Sequence, residues 1–375
     1  MTPNEQPERS VGHMDHKTQR PIESDAAAEP EADVGATRRQ MIRRGGAAAG
    51  VLGAAGLLAA CGSDSSSSKA SKQATTTGSS KKLRIVTVWI GVPGAPFFVT
   101  TKNGALQAGK DMSDVLTSEY RETTSGQIDI NELNRLFDTV VASKPDGIAT
   151  FVIDPVAQKP HIEAAMKAGI PVILEVSGVK YYKQFGAIGF FGADNKAGSS
   201  AAAQRMKAEG VTNALVINGN PENPDVTDRY IGFKTAFEAG GGKIRQVPVR
   251  ESDITGMEAR IKAALLSTPG VNGVYSLGAD SGNAALAAVQ KANMTSKVKL
   301  ANWDLSAPVL KAVAAGQILF AQDQQPFLDT YSSVVALYLY KKYGVVPVAP
   351  VVNGPSFITK DDAEQVIQLA AQGLR

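Results

Sequence analysis

The sequence predicts an α/β protein built from two doubly wound parallel-sheet lobes. Three observations carry that reading. From residue 83 onward, short β-rich apolar runs alternate with longer amphipathic segments. Strand followed by helix, repeated, means βαβ units and a parallel sheet. The foldable sequence starts near Lys82 and leaves about 290 residues, enough for two domains on length alone. The strand count fits two sheets of about five or six strands better than one sheet of about eleven.

Residues 83–90 are β-rich and run into Gly91-Val92-Pro93-Gly94, a turn cluster. Residues 97–112 then show helical spacing. Later strands are expected at 147–153, 170–175, 187–190, 214–218, 244–249, 273–277, 298–303 and 318–321. Helices are expected between them at 131–143, 157–168, 197–208, 256–267, 283–291, 308–314 and 327–342.

The N-terminal region reads differently. Arg38-Arg39 stands ahead of a Gly- and Ala-rich apolar run that ends in Leu58-Ala59-Ala60-Cys61. A paired arginine before a moderately apolar stretch is a twin-arginine export pattern. The apolar run, roughly 16 residues of small side chains, is too short and too weakly apolar to span a bilayer well. Small residues before Cys61, the only cysteine, resemble the lipidation signal of bacterial lipoproteins. Residues 1–61 are therefore expected to be an export signal ending at a lipidated Cys61, placing the protein on the outer face of the cytoplasmic membrane. Residues 62–81 are Ser-, Thr- and Lys-rich with almost no apolar side chains, so they cannot bury a core and read as a flexible tether.

Composition excludes several chemistries. After such processing His161 is the only histidine and no free thiol remains. A His-rich metal site, a zinc ribbon and a Cys/His nucleophile cannot be assembled, and no cofactor is expected. His161 lies in Pro160-His161-Ile162-Glu163, on the solvated face of a helix, which is a poor place for a triad base. The net charge is +3, the leader carries much of the arginine, and no basic stripe with interleaved aromatics remains. Nucleic acid is thus not an expected partner.

Ligands of open α/β sheets bind beyond the carboxyl ends of the strands. The residues there include Trp89, Phe97, Phe98, Asp154, Glu175, Asp280, Trp303, Asp304 and Gln324. Aromatic faces stack on the C–H faces of sugars, and carboxylates and amides accept from hydroxyls. No P-loop or Gly-x-Gly-x-x-Gly follows the first strand, so phosphate recognition is not indicated.

The same segments carry a resemblance to the type I periplasmic sugar-binding proteins, the ribose- and galactose-binding kind that serve ABC importers. The motifs are Ala95-Pro96-Phe97-Phe98, Lys144-Pro145-Asp146-Gly147-Ile148, Ala168-Gly169-Ile170-Pro171-Val172, Gly192-Ala193-Asp194-Asn195, Arg229 ahead of Gly232-Phe233, Trp303-Asp304, and Gln324 before Pro326. The resemblance covers nearly all of residues 82–375. It implies two similar lobes joined by three hinge crossings, near 192–193, 322–325 and 351–354. Residues 82–192 plus 325–353 would form the N-terminal lobe, and 193–324 plus 354–375 the C-terminal lobe. It also implies that a small sugar or polyol is gripped between the lobes without chemical change, by a monomer that hands it to a membrane permease. The ligand-contacting positions carried over are Phe97, Phe98, Asp154, Arg229, Asp304 and Gln324.

The chain departs from the family at Val176-Ser177 and Gly278-Ala279, where polar pairs are usual. Glu175 and Asp280 are the nearest replacements, and the change leaves room for a pentitol, another polyol, a cyclitol or a modified sugar. Read residue by residue, competing roles stand beside the binding ones. Asp154 before Pro155 is an ordinary helix cap. Arg229 could pair with Asp225 one turn earlier. Trp89 and Trp303 are more often core than stacking platforms. Asp194-Asn195 reads as a hinge turn. The alternatives in function are a sensor that presents ligand to a membrane receptor and, from its several carboxylates, a secreted carbohydrate hydrolase.

Overall fold

Two six-stranded sheets with the same strand order organise the computed structural model, which describes residues 81–93, 95–250 and 253–375. The first contains β1 (Leu83–Trp89), β2 (Leu116–Glu122), β3 (Gly147–Thr150), β4 (Val172–Val176), β5 (Gly189–Ala193) and β11 (Val351–Gly354), in the order β11-β5-β4-β3-β1-β2. The second contains β6 (Asn213–Asn218), β7 (Lys243–Pro248), β8 (Gly273–Ser276), β9 (Lys299–Trp303), β10 (Ile318–Asp323) and β12 (Ser356–Ile358), in the order β12-β10-β9-β8-β6-β7. Each reads 2-1-3-4-5 in its own numbering with one late strand added, the flavodoxin-like doubly wound order. All pairings are parallel except β12 against β10.

Helices cover both faces. α1 (Pro96–Asp111), α2 (Ile130–Ala142), α3 (Pro155–Lys167) and α9 (Pro326–Tyr343) pack on the first sheet. α4 (Asn195–Ala208), α5 (Pro224–Ala239), α6 (Ile254–Ser267), α7 (Ala279–Lys291), α8 (Ala307–Ala314) and α10 (Ala363–Ala371) belong to the second lobe. Each lobe has two apolar cores, one on either face of its sheet. Ile148, Val172 and Leu174 point one way and Ile85, Ala149 and Ile173 the other, the period of 2 that a doubly covered sheet requires.

The helices start where the strands end, and short polar side chains set the corners. Asp129, Asp154, Asp194, Asn223, Asp253 and Ser306 each accept a backbone N–H of the helix that follows them. This satisfies donors that a helix start leaves open and fixes the entry angle. These N-termini follow the carboxyl ends of β-strands, so in each lobe they ring the edge that faces the cleft.

The chain passes between the lobes three times: from β5 to α4, from β10 to α9, and from β11 to β12 across the cis Gly354–Pro355 bond. After α10 the chain returns to α1. There the Asn103 amide donates to the Gly373 carbonyl at 3.1 Å, and Thr100 donates to that of Arg375 at 3.2 Å.

Five elements depart from the sequence reading. No strand was expected at β2, because Leu-Thr-Ser-Glu-Tyr-Arg-Glu has a single fully buried residue, Leu116, and pairs on one side only. An edge strand escapes the need for an apolar face. β11 and β12 are three or four residues long and Gly- and Pro-flanked, and their pairing is set by the crossings, not by local pattern. Helix α10 lies beyond the last element expected. β5 runs to Ala193, three residues past the expected strand end, because it extends into the first crossing.

Close packing of α1 on α9 depends on Gly104. A Cβ there would lie 2.2 Å from the Phe327 carbonyl oxygen and 2.3 Å from the Thr330 hydroxyl. In an open helix Gly→Ala stabilises, since glycine costs about 1 kcal/mol in helix interiors. Here overpacking wins, and Gly104→Ala is expected to destabilise by about 1–3 kcal/mol. Urea unfolding checks the sign; a gain in midpoint excludes the tight contact.

Candidate functional site in the interlobe cleft

Two groups of side chains face each other's lobes at the carboxyl ends of the strands. The first is aromatic. Trp89 ends β1, Phe97 and Phe98 open α1, and Phe151 follows β3. Trp89 stacks on Phe151 with centroids 4.3 Å apart and meets Phe97 at 6.1 Å and Phe98 edge-on at 6.2 Å. Phe97 and Phe98 are themselves perpendicular at 5.6 Å. Trp89 is buried, while both phenylalanines keep partial exposure. Stacked and edge-to-face pairs hold such rings at about 0.5–1.5 kcal/mol beyond their burial.

Behind Trp89 stands Glu175 of β4, fully buried. Its Oε1 accepts the indole N–H at 2.6 Å. Its Oε2 has no hydrogen-bond partner within bonding geometry. Burial pushes its pKa up to about 7, against the Trp89 hydrogen bond and the nearby Ser333 hydroxyl, which lower it. Asp329 of α9 is buried nearby; burial, helped by the Glu175 charge, holds its pKa well above the usual carboxylate range, and the Asn353 amide bonded to it at 2.8 Å works the other way.

The second group is polar and centred on Arg229 of α5. Its Nε donates to Asn195 Oδ1 at 2.8 Å, Nη1 to the Leu277 carbonyl at 2.9 Å, and Nη2 to Gln324 Oε1 at 3.0 Å. Nη1 also lies 3.5 Å from Asp304 Oδ2, and the Gln324 amide donates to Asp304 Oδ1. The guanidinium sits 4.5 Å over the ring of Trp303. A rigid fork held on this many sides is fixed in orientation. The Arg229 side chain is 8 % exposed and that of Asp304 19 %, so the carboxylate is the more accessible partner. Burial raises the Asp304 pKa, and Arg229 is the first of the groups that oppose it.

Local backbone explains how Asp304 and the first-lobe turn reach the cleft. Val176, Asp304 and Gln325 adopt positive φ, of 63°, 72° and 61°, at the ends of β4, β9 and β10. Such conformations are costly for residues other than glycine, above all for a β-branched valine, and persist only where the surroundings impose them. At β9 the Asn302 amide does so by donating to the carbonyls of Trp303 and Asp304, each at 2.7 Å.

The lobes also touch at the cleft's outer lip. Lys180, between β4 and β5, is paired with Asp228 of α5 at 2.6 Å. Asp225, one turn before Arg229, is buried beside Ser177 of the other lobe. Burial raises its pKa, and Ser177, Arg229 and Lys180 act against that rise.

Of the residues singled out from the sequence, Arg229, Asp304, Gln324 and Trp303 form one hydrogen-bonded and stacked group, and Trp89, Phe97, Phe98 and Glu175 form another. Asp154 caps α3 through Val156 and Ala157, at 3.1 and 3.0 Å, and makes no side-chain contact with either group. Asp280 is exposed in the first turn of α7, close enough to Asp304 to raise its pKa. Arg229 does not form the ion pair with Asp225 that their spacing allowed; its fork is taken up by Asn195, Leu277, Gln324 and Asp304. Trp89 and Trp303 are both core residues, at 2 % and 0 % exposure. Sequence reasoning did not single out Asp228 or Lys180, and it read Asn195 as part of a hinge turn, Asp225 as an ion-pair partner of Arg229 and Ser177 as a departure from the family's polar pair. The spacing of Asp225, Asp228 and Arg229 puts three charges on one helical face, and their low exposure is the signal that only the fold supplies.

Among the described residues, no cluster of three or more His, Cys, Asp or Glu could hold a metal, and no helix is long and apolar enough to cross a membrane. A surface hollow of about 380 Å³ beside Asn272, Lys297 and Gln317 lies at the amino ends of the second sheet's strands, away from the groups above.

Residues 86–344 match the periplasmic binding protein domain family. The chain is 25 % identical over 260 residues to the xylose/arabinose-binding protein XylF of Sulfolobus acidocaldarius, covering 65 % of this chain and 63 % of that protein. Among solved structures, a carbohydrate transporter from Acidothermus cellulolyticus 11B in complex with myo-inositol is 30 % identical, with TM-score 0.70, covering 78 % of this chain and all of the other. The arabinose-binding protein AraP from Geobacillus stearothermophilus is 25 % identical, with TM-score 0.65, covering 76 % of this chain and 99 % of the other. The duplicated sheet order, the three crossings and these matches lead to one conclusion: the chain belongs to the periplasmic binding protein family and has the two-lobed fold of its type I sugar-binding members.

Proposed function

We propose that this protein is an extracytoplasmic binding protein, not an enzyme, that captures a sugar or polyol between its lobes and delivers it to an ABC importer. The observation that carries the reading is the Arg229–Asp304–Gln324 group on the second lobe and hinge, set against the Trp89–Phe97–Phe98 group on the first. One side offers charged donors and acceptors for hydroxyls; the other offers aromatic faces for C–H surfaces. Asp225 and Asp154 add carboxylates at the same rim. A ligand that bonds both lobes shifts the population towards the closed form.

The myo-inositol complex of the Acidothermus relative, together with the missing polar pair at Val176-Ser177 and Gly278-Ala279, favours a cyclitol, with pentoses next. Binding raises the melting temperature by mass action. A thermal-shift series with myo-inositol, arabinose, xylose, ribitol and leucine is expected to show a shift for at least one of the hydroxylated compounds and none for leucine. A shift with leucine alone, or with none of them, removes the reading.

Export by the twin-arginine signal and anchoring through a lipid on Cys61 belong to the same proposal and rest on sequence outside the described residues. Incorporation of labelled palmitate into the wild type, and its loss in Cys61→Ala, tests the anchor. Substrate-dependent uptake in cells lacking this chain tests the importer partnership.

A further inference from the structure

Among the described residues, Glu175 is the carboxylate that hydrogen-bonds to the aromatic group, and it does so from behind. It lies on β4, fully buried, with Oε1 on the Trp89 indole N–H at 2.6 Å. It cannot be a simple packing residue, because a buried carboxylate with an unpartnered oxygen is costly wherever it occurs. Among the described residues it forms no ion pair, and the polar groups that interact with it include Trp89, Ser333, Tyr120 and Asp329. The Trp89 ring that it holds is braced on the other side by Phe151 at 4.3 Å and carries Phe97 and Phe98 on its edges.

We propose that Glu175 is a positioning residue for the ligand site, which acts through the Trp89 indole to fix the angle at which Phe97 and Phe98 are presented to the cleft. The inference rests on the sugar-binding reading and deepens it, since it separates residues that would touch ligand from one that sets the shape of the aromatic surface. An indole ring packed on phenylalanines alone can tilt about its side-chain torsions with little to fix one angle. The hydrogen bond at its one polar atom removes that freedom, and the two phenylalanines follow the ring.

Proton occupancy of Glu175 then reaches the cleft. Burial raises its pKa towards neutrality, so the strength of the bond to the indole changes around neutral pH. The titratable groups that face it are Asp329 from α9 and Tyr120 from β2. Both have raised pKa values, and Asp323 of β10 adds to the repulsion at Asp329.

The test uses two readouts. The chain has two tryptophans, so in a Trp303→Phe background, excited where tyrosine does not absorb, Trp89 is the only emitter. Its fluorescence is expected to titrate near neutral pH, to keep doing so with Asp329→Asn, and to become flat with Glu175→Gln. This readout needs no ligand, so it stands even if the binding proposal fails. The second readout is a double-mutant cycle by calorimetry with the best ligand of the thermal-shift series. Glu175→Leu is expected to weaken binding about ten-fold in the wild-type background, as for an orphaned buried donor, and less than about three-fold in Trp89→Phe, which has no N–H to orphan. Glu175→Gln, which keeps an acceptor for the indole, is expected to bind within about three-fold of wild type. An equal loss in both backgrounds means that Glu175 contacts ligand itself and overturns the proposal. So does a Trp89 emission that ignores pH or titrates unchanged in Glu175→Gln. If Glu175→Leu does not fold, the Gln variant and the emission titration decide.

Discussion

Arg229→Ala is expected to weaken ligand binding by about 100-fold or more and to lower the stability of the unliganded protein. The reason is the arrangement around the guanidinium. It donates to Asn195, Leu277 and Gln324, lies against Asp304 and covers the face of Trp303. Truncation leaves Asp304 buried without its charge partner, and Gln324 with an unpaired oxygen next to the second crossing. Removing one member of a buried charged pair costs about 2–5 kcal/mol, much of it the penalty on the group left behind. Arg229→Lys separates charge from shape. A lysine restores a positive charge near Asp304 but cannot reproduce the fork, so it is expected to recover part of the stability and little of the affinity. Titration calorimetry and urea unfolding on both variants measure the two effects. Binding within a few-fold of wild type in Arg229→Ala excludes this group from the ligand site.

The second large effect is on stability against pH, and its sign is unusual. Glu175 holds its proton with a pKa of about 7 in the folded protein, compared with 4.5 for the unperturbed side chain. Between those values the folded state binds more protons than the unfolded chain. Stability therefore falls as pH rises through that window and levels off above it. The difference corresponds to something on the order of 3 kcal/mol for Glu175. Asp225, Asp304, Asp323 and Asp329 are raised as well, so they act in the same direction. Glu119 and Glu132 are shifted down and oppose this only at lower pH. The urea midpoint is expected to be higher at pH 5.5 than at pH 8. Glu175→Gln, neutral at both, should flatten the dependence and exceed wild type at pH 8. A midpoint that climbs from pH 5.5 to 8 contradicts the account.

Both effects come from polar groups placed at strand ends, and these were partly legible in the sequence. The central strands β1, β3, β4, β6, β8 and β9 could be read because a strand covered on both faces must be almost wholly apolar, as in Val-Ile-Leu-Glu-Val. Strand β2 could not, since its outer side has no neighbour and tolerates Ser, Glu and Arg. Strands β11 and β12 owe their pairing to chain that comes back after α9, a non-local fact.

At the candidate site, Arg229, Asp304 and Gln324 were named through family resemblance more than through local chemistry. Taken alone, the spacing of Asp225 and Arg229 argued for an ordinary surface pair. What decides otherwise is that α5 lies against the end of the second sheet, where the Leu277 carbonyl and Asn195 wait for a donor. No side-chain pattern announces a backbone carbonyl. The pairing of Lys180 with Asp228 spans 48 residues and exists only because two lobes meet.

That lip pair bears on how the protein waits for its ligand. Lys180 is 54 % exposed, and an ion pair so open to water is worth at most about 1 kcal/mol, roughly a five-fold bias. A contact held that lightly does little by itself to keep the lobes together. If the proposed site is right, the hold on a bound molecule falls instead to the arginine fork and the rings facing it.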